Sequence, residues 1–287
     1  MSEIGYGYGS EWHLLRWLGY HRAELSTEVE RAIARTSSDI DQTFGSIEWL
    51  DLAWNTKSYH LHWDTEWEGI SFVKQSVLPD DIKAVVAQAW KDFWPSSGTA
   101  QCWDAVGVRQ TENGLEWLLV EAKAHLLELS GGGNKAGNES RQKIQKAFIL
   151  VQQALGIYSG TNAVVNDKLM HDWLGTFYQY ANRLAALYFF NEYLPQYHNI
   201  ALPARLINIY FIKESHNGWL TRQTEQEWSA DIDNIYTQLG LTAQGATMRH
   251  SPQKSALLNH VHEMLRLRAS KPPSSVYAVI MQKSSGL

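Results

Sequence analysis

The sequence has little of several things that would place it in a class at once. It contains a single cysteine, Cys102, among 287 residues. An intramolecular disulfide is therefore excluded, and one thiol is typical of proteins from a reducing interior. The chain has no apolar run of about 18 residues and no secretion-type leader at its start, so we expect a soluble cytoplasmic protein without a membrane span.

An excess of basic residues is also lacking. The 25 Lys and Arg residues stand against 30 Asp and Glu residues, which gives a formal net charge of -5. Proteins that coat nucleic acid without regard to its sequence are normally basic, because they neutralise phosphates. The charge balance therefore disfavours broad duplex binding, but it leaves room for a local basic cleft.

Hydrophobic and aromatic residues are abundant. Hydrophobic residues make up 44% of the chain, which includes 13 Trp and 13 Tyr. This is enough to bury one large core in which aromatic side chains supply much of the packing. We expect one domain over residues 1–287, with a core at about 79–213, an N-terminal helical and Trp-rich extension at 1–78, and C-terminal helices and a strand at 214–287.

Periodicity and turn residues predict the elements. Ser10 is expected to cap the first helix. We expect helices from Ser10 onward and at 26–35, 80–94, 139–155, 167–193, 224–241 and 253–268, and strands near 47–54, 68–74, 204–213 and 276–282. His60 and His62 precede Asp64, but Thr65 stands where a metal-binding motif of this spacing needs a further His. We therefore expect structural or surface histidines there.

The stretch at 102–125 carries the chemistry. Residues 102–109 form a short apolar run, Asn113-Gly114 is the dipeptide best suited to a turn with positive φ, and 115–125 is a second run rich in Leu and Val. This pattern predicts a β-hairpin.

Alternation along the second strand places acidic and basic groups on one face. Side chains of a strand point to opposite faces in turn. One face carries Leu119, Glu121, Lys123 and His125, and the other carries Leu118, Val120, Ala122 and Ala124. A hairpin can bring Asp104 beside Glu121, and two neighbouring carboxylates repel unless a cation lies between them. These residues therefore predict a divalent metal site.

An Asp on one strand and a Glu-x-Lys on the next resemble the PD-(D/E)xK phosphodiesterase superfamily, the restriction-endonuclease-like nucleases. The matching residues are Asp104, Glu121, Ala122 and Lys123, and Trp103 stands where the family often has Pro. The resemblance implies an α/β fold with a restriction-endonuclease-like core, a mixed β-sheet flanked by helices, and N- and C-terminal embellishments. It implies a nuclease that hydrolyses DNA or RNA. Asp104 and Glu121 would bind Mg²⁺ or Mn²⁺ with the Ala122 carbonyl, and Lys123 would position or activate the attacking water.

The resemblance also suggests residues outside the hairpin. An acidic residue from a helix ahead of the first catalytic strand often joins the site, and Glu11 is our candidate in preference to Glu24. Some branches carry a Gln or Tyr on a later helix, and Gln179-Tyr180 resembles that feature. Arg183 follows at helical spacing and can point with Gln179 at a substrate.

Two alternatives remain open. Glu-x-Lys triplets are frequent in proteins, and many are solvated surface pairs that contribute little. The chain can also be a catalytically silent nuclease-like scaffold that binds nucleic acid or another protein, with Asp104, Glu121 and Lys123 as an ion-paired structural cluster. The acidic balance favours this alternative, and the intact acid-acid-lysine set favours the enzyme.

Overall fold

The computed structural model describes residues 9–36, 46–51, 53–54, 64–96, 101–111, 114–125, 128–158, 160–212, 224–241, 263–268 and 279–280. Its strands are β1 (Ile47–Trp49), β2 (Ala53–Trp54), β3 (Asp64–Thr65), β4 (Trp67–Glu68), β5 (Cys102–Trp103), β6 (Ala105–Thr111), β7 (Gly114–Lys123), β8 (Ala204–Ile212), β9 (Glu263–Arg268) and β10 (Val279–Ile280). Its α-helices are α1 (Ser10–Tyr20), α2 (Arg22–Thr36), α3 (Asp80–Phe93), α4 (Asn138–Ala154), α5 (Ala163–Leu174), α6 (Tyr178–Tyr188), α7 (Leu194–His198) and α8 (Glu225–Gln238). A 3₁₀ helix spans Ser71–Gln75, and a π-helical turn spans Phe189–Tyr193.

A mixed sheet organises the fold. Its six strands lie in the order β1-β6-β7-β8-β9-β10. β7 and β8 are parallel, as are β8 and β9, whereas β6 is antiparallel to both β1 and β7. The predicted hairpin of β6 and β7 is thus confirmed. Gly114 has a φ of 113°, which suits the Gly of the predicted turn dipeptide.

Helices cover both faces of this sheet. On one face, α1 and α2 pack through residues such as Leu14 and Val29 against Leu118 and Val120. On the other face, the remaining helices pack against the side of β7 that carries Trp117 and Leu119. The strand alternation predicted for β7 is therefore confirmed, and the α/β class with a mixed sheet flanked by helices is what the chain adopts.

Aromatic side chains fill the larger of these two cores, as their number in the sequence predicts. The ring of Trp90 meets Phe189 edge-on at 4.8 Å between centroids, and Phe72 lies 4.8 Å from Trp117. Contacts of this kind hold α3 and the π-helical turn onto the sheet. They also surround this face of β7 with apolar side chains, so its polar residues pair with one another.

Several predicted elements agree closely with the structure. The helices expected at 80–94 and 139–155 are α3 and α4, and the strand expected at 204–213 is β8. α8 begins with the capping box that its sequence predicts: Thr224 Oγ1 accepts from the Glu227 N–H, and the Glu227 carboxylate accepts from the Thr224 N–H.

Other predictions are wrong. The strand expected at 68–74 is instead a short β4 followed by the 3₁₀ helix, in which the consecutive residues Phe72 and Val73 are both buried. A strand would point one of them away from the core. Ser10 does not cap α1: it is the first helical residue, and Gly9 occupies the cap position with a φ of 91°.

The long helix expected at 167–193 is broken. α5 ends at Leu174, and α6 begins at Tyr178 after a turn. A Cβ at Gly175 would lie 2.8 Å from the His171 carbonyl oxygen, so the chain reverses there at a residue without a side chain. The break lets α6 approach the sheet on its own axis.

Three strands outside the predicted core belong to the same sheet, whereas β2 pairs with β3 and β4 pairs with β5 in two separate small sheets. β1 precedes residue 79, and β9 and β10 follow residue 213. The described end of the predicted helix at 253–268 is the strand β9, in which Leu265 and Leu267 alternate with Arg266 and Arg268. The described part of the predicted strand at 276–282 is β10. None of the helices within the described residues has both the length and the apolar character needed to cross a bilayer.

Candidate functional site

Asp104 lies at the break between β5 and β6. Its N–H donates to the Val120 carbonyl oxygen at 3.1 Å, and its Oδ2 accepts from the Ala122 N–H at 2.6 Å. These two bonds fasten Asp104 to β7 on either side of Glu121. The hairpin therefore brings the first predicted acid beside the second.

Glu121 is a buried carboxylate, 6% exposed, with a cation on each oxygen. Its Oε1 lies 2.5 Å from Lys123 Nζ. Its Oε2 accepts from Arg183 Nε at 3.0 Å and from Arg183 Nη2 at 2.6 Å. Because burial of an unpaired carboxylate is costly, this pairing explains how β7 tolerates Glu121 in its interior.

Arg183 is fixed on α6 by its own donors. Besides Glu121, it donates to the carbonyl oxygens of Cys102 at 2.8 Å and Gln179 at 3.2 Å and to Asn182 Oδ1 at 2.8 Å. Its guanidinium carbon lies 5.5 Å from the centre of the Trp103 ring. All five N–H donors of the guanidinium are thus used: three join α6 to β7 and β5, and two are spent within α6 itself.

The three predicted catalytic residues have pKa values shifted in different directions. Burial, and then the charge of Glu121, raises the pKa of Asp104 well above its usual value. Burial would also raise the pKa of Glu121, but Arg183 and Lys123 together outweigh it and lower that pKa. Burial alone would lower the pKa of Lys123, but Glu121 and Asp104 raise it. Asp104 is therefore the residue of the three whose surroundings disfavour its charged form.

Glu66 adds a third acidic charge close by. It lies just before β4, and its charge contributes to raising the pKa of Asp104. Burial, then the charge of Glu66 and its hydrogen bond, raises the pKa of Cys102 to about 12. The Cys102 thiol is therefore protonated at neutral pH and unsuited to act as a nucleophile.

A small cavity of about 20 Å³ borders the other flank of Glu121. Its lining residues come from β7, β8, α6, α8 and the loop after β7; they are Glu121, Lys123, Leu129, Gln179, Tyr180, Arg183, Asn208, Tyr210 and Ile235. The structure thus brings the three residues predicted to meet substrate, Gln179, Tyr180 and Arg183, to the same place as Glu121 and Lys123. The Tyr180 hydroxyl donates to the Tyr236 hydroxyl at 3.2 Å.

Two further acidic or basic candidates lie elsewhere. Glu11 is in the first turn of α1, which packs on the opposite face of the sheet from Glu121. Its role at the site stays a prediction. His125 follows the end of β7, and its Nε2 pairs with Glu128 Oε1 at 2.9 Å. His60 and His62 lie outside the described residues.

Sequence reasoning missed several residues of the site. One is Gln101, whose Nε2 donates to the carbonyl oxygen of Asn182, the residue before Arg183, at 3.1 Å. No local pattern singles out Gln101 or Glu66. Asn208 did leave a signal, because it is the one amide in the otherwise apolar run 206–212 of β8.

A second cavity, of about 730 Å³, lies beside the Gly-rich segment before α4. Its lining consists of residues 132–140 together with Trp94, Pro95, Ile144 and Tyr178. It is the larger of the two, but the buried charges line the smaller cavity. Buried groups with shifted pKa values indicate a functional site better than the volume of a cavity does, so we place the candidate site at Asp104 and Glu121.

The donor set can be compared with what a metal needs. Among the described residues, no group of three or more His, Cys, Asp or Glu side chains is placed to hold a metal ion. Two carboxylates, Asp104 and Glu121, and the Ala122 carbonyl remain. Mg²⁺ usually takes one or two carboxylates from a protein and keeps several waters, so this set fits Mg²⁺ or Mn²⁺ better than a fully protein-bound ion such as structural zinc.

The chain was compared with protein-family models, with curated proteins and with solved structures. None of the three comparisons finds a match.

Proposed function

We propose that this protein is a metal-dependent phosphodiesterase of restriction-endonuclease-like type that hydrolyses DNA or RNA. The observation that supports this function is the pair of acids on adjacent strands. Asp104 is held against β7 with its charge opposed by that of Glu121, and Lys123 lies beside both. Acids kept together against their mutual repulsion are typical of sites that bind a cation.

Each residue has a role in this proposal. Asp104 and Glu121 hold Mg²⁺ or Mn²⁺ with the Ala122 carbonyl. When bound, the ion supplies polarisation of the phosphate and a lower pKa for a water molecule. Lys123 uses one N–H on Glu121 and directs another at the attacking water or at the negative charge that develops on the phosphate. Arg183 keeps Glu121 in place.

Substrate contacts follow from the same arrangement. Gln179 and Tyr180 lie on α6 and line the same cavity as Lys123, where they would meet the substrate. Hydrolysis at a phosphate does not involve contacts to the bases, so any sequence preference has to come from other surfaces of the protein. The net charge of -5 restricts nucleic-acid contact to a local cleft rather than a broad basic face.

One observation favours the alternative, a catalytically silent scaffold that binds nucleic acid or another protein. Both oxygens of Glu121 already pair with cations, Lys123 on one and Arg183 on the other. An ion cluster built only for stability would look like this at Glu121. Such a cluster would not explain Asp104, because the surroundings of Asp104 raise its pKa and so disfavour its charged form.

A cleavage assay separates the two functions. Purified protein is incubated with single-stranded and duplex DNA and with RNA in Mg²⁺ or Mn²⁺, at a temperature at which every variant is folded. We expect cleavage by the wild type and a loss of at least about 100-fold in Lys123→Met, because Lys123 acts on the charge formed during reaction. Glu116→Gln is the matched control, since Glu116 is an equally buried, arginine-paired acid of β7.

The outcomes are distinct. Cleavage that needs the metal, fails in Lys123→Met and survives in Glu116→Gln supports the phosphodiesterase. Activity that persists at the wild-type level in Lys123→Met points to a contaminating nuclease. Nucleic-acid binding without cleavage in either metal favours the silent scaffold.

A further inference from the structure

Asn208 lies next to Glu121 across two parallel strands. In the register of β7 and β8, Asn208 is the partner of Glu121, and Tyr210 is the partner of Lys123. Register partners in neighbouring strands point to the same face of a sheet. The amide of Asn208 therefore lies on the face that carries Glu121 and Lys123.

The side-chain amide of Asn208 is buried, and its N–H donor group is unpaired within the described part of the chain. Asn208 is 3% exposed, and its Nδ2 has no hydrogen-bond partner among the described residues. A buried N–H without an acceptor costs free energy, because it loses its bonds to water and gains none. Such a group in a native protein calls for an explanation.

The space beside this donor is small but can hold a water molecule. The cavity that Asn208 shares with Glu121 and Lys123 has a volume of about 20 Å³. A water molecule needs roughly 10–15 Å³ and between about two and four polar partners. Asn208, Lys123, Glu121 and Tyr180 supply polar groups around this space.

We propose that Asn208 is a positioning residue that holds one water molecule in this cavity. The water accepts hydrogen bonds from Asn208 Nδ2 and from Lys123 Nζ and donates to the Glu121 carboxylate. It thereby fixes the ammonium group of Lys123 and the carboxylate of Glu121 relative to each other. The inference rests on the proposed function for its consequence in catalysis, but the water site itself does not depend on that function.

The order of the strands separates this water from the reacting one. β6 and β8 lie on opposite sides of β7. Asp104, which is fastened to β7 from the β6 side, and Asn208 therefore flank Glu121 from two directions. The water held by Asn208 contacts Glu121 from the β8 side, whereas Asp104 lies on the β6 side of Glu121.

Gln152 provides a matched control. It is 0% exposed, and both its Nε2 and its Oε1 lack hydrogen-bond partners within the part of the chain that the structure describes. It lies on α4 and is not among the residues that line the small cavity. It thus shares the unpaired, buried amide with Asn208 but not the place beside Glu121.

The first experiment compares Asn208→Leu, Asn208→Ser and Gln152→Leu. Gln152→Leu removes a buried amide that lacks partners in the described structure, so we expect Tm to be unchanged or raised, and Asn208→Leu removes a donor whose partner is the held water, so we expect Tm to change little. We expect kcat for metal-dependent cleavage to fall about 10- to 100-fold in Asn208→Leu alone, with KM little changed, as is usual when a supporting contact is lost. Asn208→Ser retains a donor and restores part of kcat.

A purely structural role gives a different pattern. In that case Asn208→Leu and Gln152→Leu have wild-type kcat, or lose it only in proportion to the folded fraction. Either result would overturn the positioning role.

The second experiment detects the water directly. The side-chain amide protons of Asn208 are observed by NMR, and cross-relaxation to a long-lived water is measured in the wild type and in Gln152→Leu. We expect a water cross-peak at Asn208 in both. Its absence would overturn the inference whatever the kinetics show. If the wild type cleaves no nucleic acid, the proposed function fails, and the cross-peak alone decides whether Asn208 holds the water.

Discussion

At the scale of single residues, the site contains two acids with opposite surroundings. Glu121 has a cation on each oxygen, and its pKa is lowered although burial acts against this. Asp104 accepts a hydrogen bond from the Ala122 N–H and lies near the Glu121 carboxylate, and its pKa is raised by burial and by Glu121. Glu121 therefore stabilises the fold. Asp104 destabilises it when ionised, and a bound cation would offset that loss of stability.

Replacement of Asp104 by Asn tests this contrast through the pH dependence of stability. Because the pKa of Asp104 is raised in the folded protein, the fold binds this proton more tightly than the unfolded chain does. The corresponding stability is fully present below the unfolded pKa and is lost as pH rises toward the folded pKa. We expect Asp104→Asn to exceed the wild type in Tm at pH 7 and to match it below about pH 4.

The measurement is thermal unfolding in metal-free buffer across this range of pH. Asn retains an oxygen that can accept from the Ala122 N–H, so the backbone contact is kept. A variant that is less stable than the wild type at pH 7 would mean that Asp104 is a favourably paired structural acid.

Removal of Arg183 tests the role of its guanidinium. Arg183→Met leaves Glu121 buried with Lys123 as its one remaining cation and takes the donors away from the Cys102 carbonyl. We expect a loss of about 3–5 kcal/mol in the free energy of unfolding, measured with urea.

A double-mutant cycle with Glu121→Gln supplies the control. If the two side chains are coupled, the double variant loses less than the sum of the single losses. Strict additivity would contradict a direct interaction between Arg183 and Glu121.

The acid-acid-lysine set could be predicted from the sequence because its members are local. Asp104, Glu121 and Lys123 lie on one hairpin, so alternation and a single turn fix their faces. Arg183 comes from a helix 62 residues after Glu121, and no local period relates the two. Asn208 meets Glu121 only through the parallel register of β7 and β8, which the sequence of neither strand specifies.

At the scale of elements, β7 carries an ion cluster on each face. Opposite the Glu121 cluster, Glu116 pairs with Arg109 Nη1 at 3.2 Å and with Arg205 Nη2 at 3.1 Å. Arg109 also pairs with Glu30 of α2 at 3.0 Å. This second cluster joins α2 to three neighbouring strands, so we assign it to the framework rather than to the site.

Removal of Arg109 tests this assignment. Arg109→Met leaves Glu30 and Glu116 buried with fewer cations, and we expect a loss of about 3–5 kcal/mol in the free energy of unfolding. Amide exchange should become faster in α2, since its buried link to the sheet is gone. A variant that stays folded should keep the wild-type metal affinity. A fall in affinity would show that the two faces of β7 are coupled.

The break between α5 and α6 is a second feature at this scale. Apolar periodicity runs through 167–193, so the sequence predicts one helix. Gly175 ends α5, and a Gly within such a run is a recognised helix-stop signal that the periodicity outweighed in the prediction. We expect Gly175→Ala to cost about 1–3 kcal/mol, because the new Cβ would lie 2.8 Å from the His171 carbonyl oxygen. Urea unfolding measures this loss, and an unchanged stability would contradict the close approach.

At the scale of the whole molecule, the sheet reaches beyond the core that the sequence predicts. The class and the central strands β6, β7 and β8 could be recognised because each is a clear apolar run beside turn residues. The sequence predicts strands near β1 and β10 but a helix at β9, and it does not indicate that all three join the central sheet through hydrogen bonds to distant strands. Arrangement of a sheet across such distances is a tertiary property, so local sequence did not reveal it.

The two helical layers place the acidic pair in a setting that excludes most water. Glu121 lies under α6, whereas α1 and α2 close the other face of the sheet. In such surroundings charges interact more strongly than in bulk water, and a cation that enters is held by few ligands. Metal binding should therefore require both acids and weaken as pH falls, because the pKa of Asp104 is raised and protons compete with the cation for it.

Titration of the metal-free protein with Mn²⁺, followed by calorimetry, tests the central claim most directly. We predict saturable binding in the wild type that weakens as pH falls, is lost in Asp104→Asn and in Glu121→Gln, and persists in Glu116→Gln, whose acid lies on the opposite face of β7. Binding of equal strength in all four proteins, or no binding in the wild type, would contradict the assignment of Asp104 and Glu121 as a metal site.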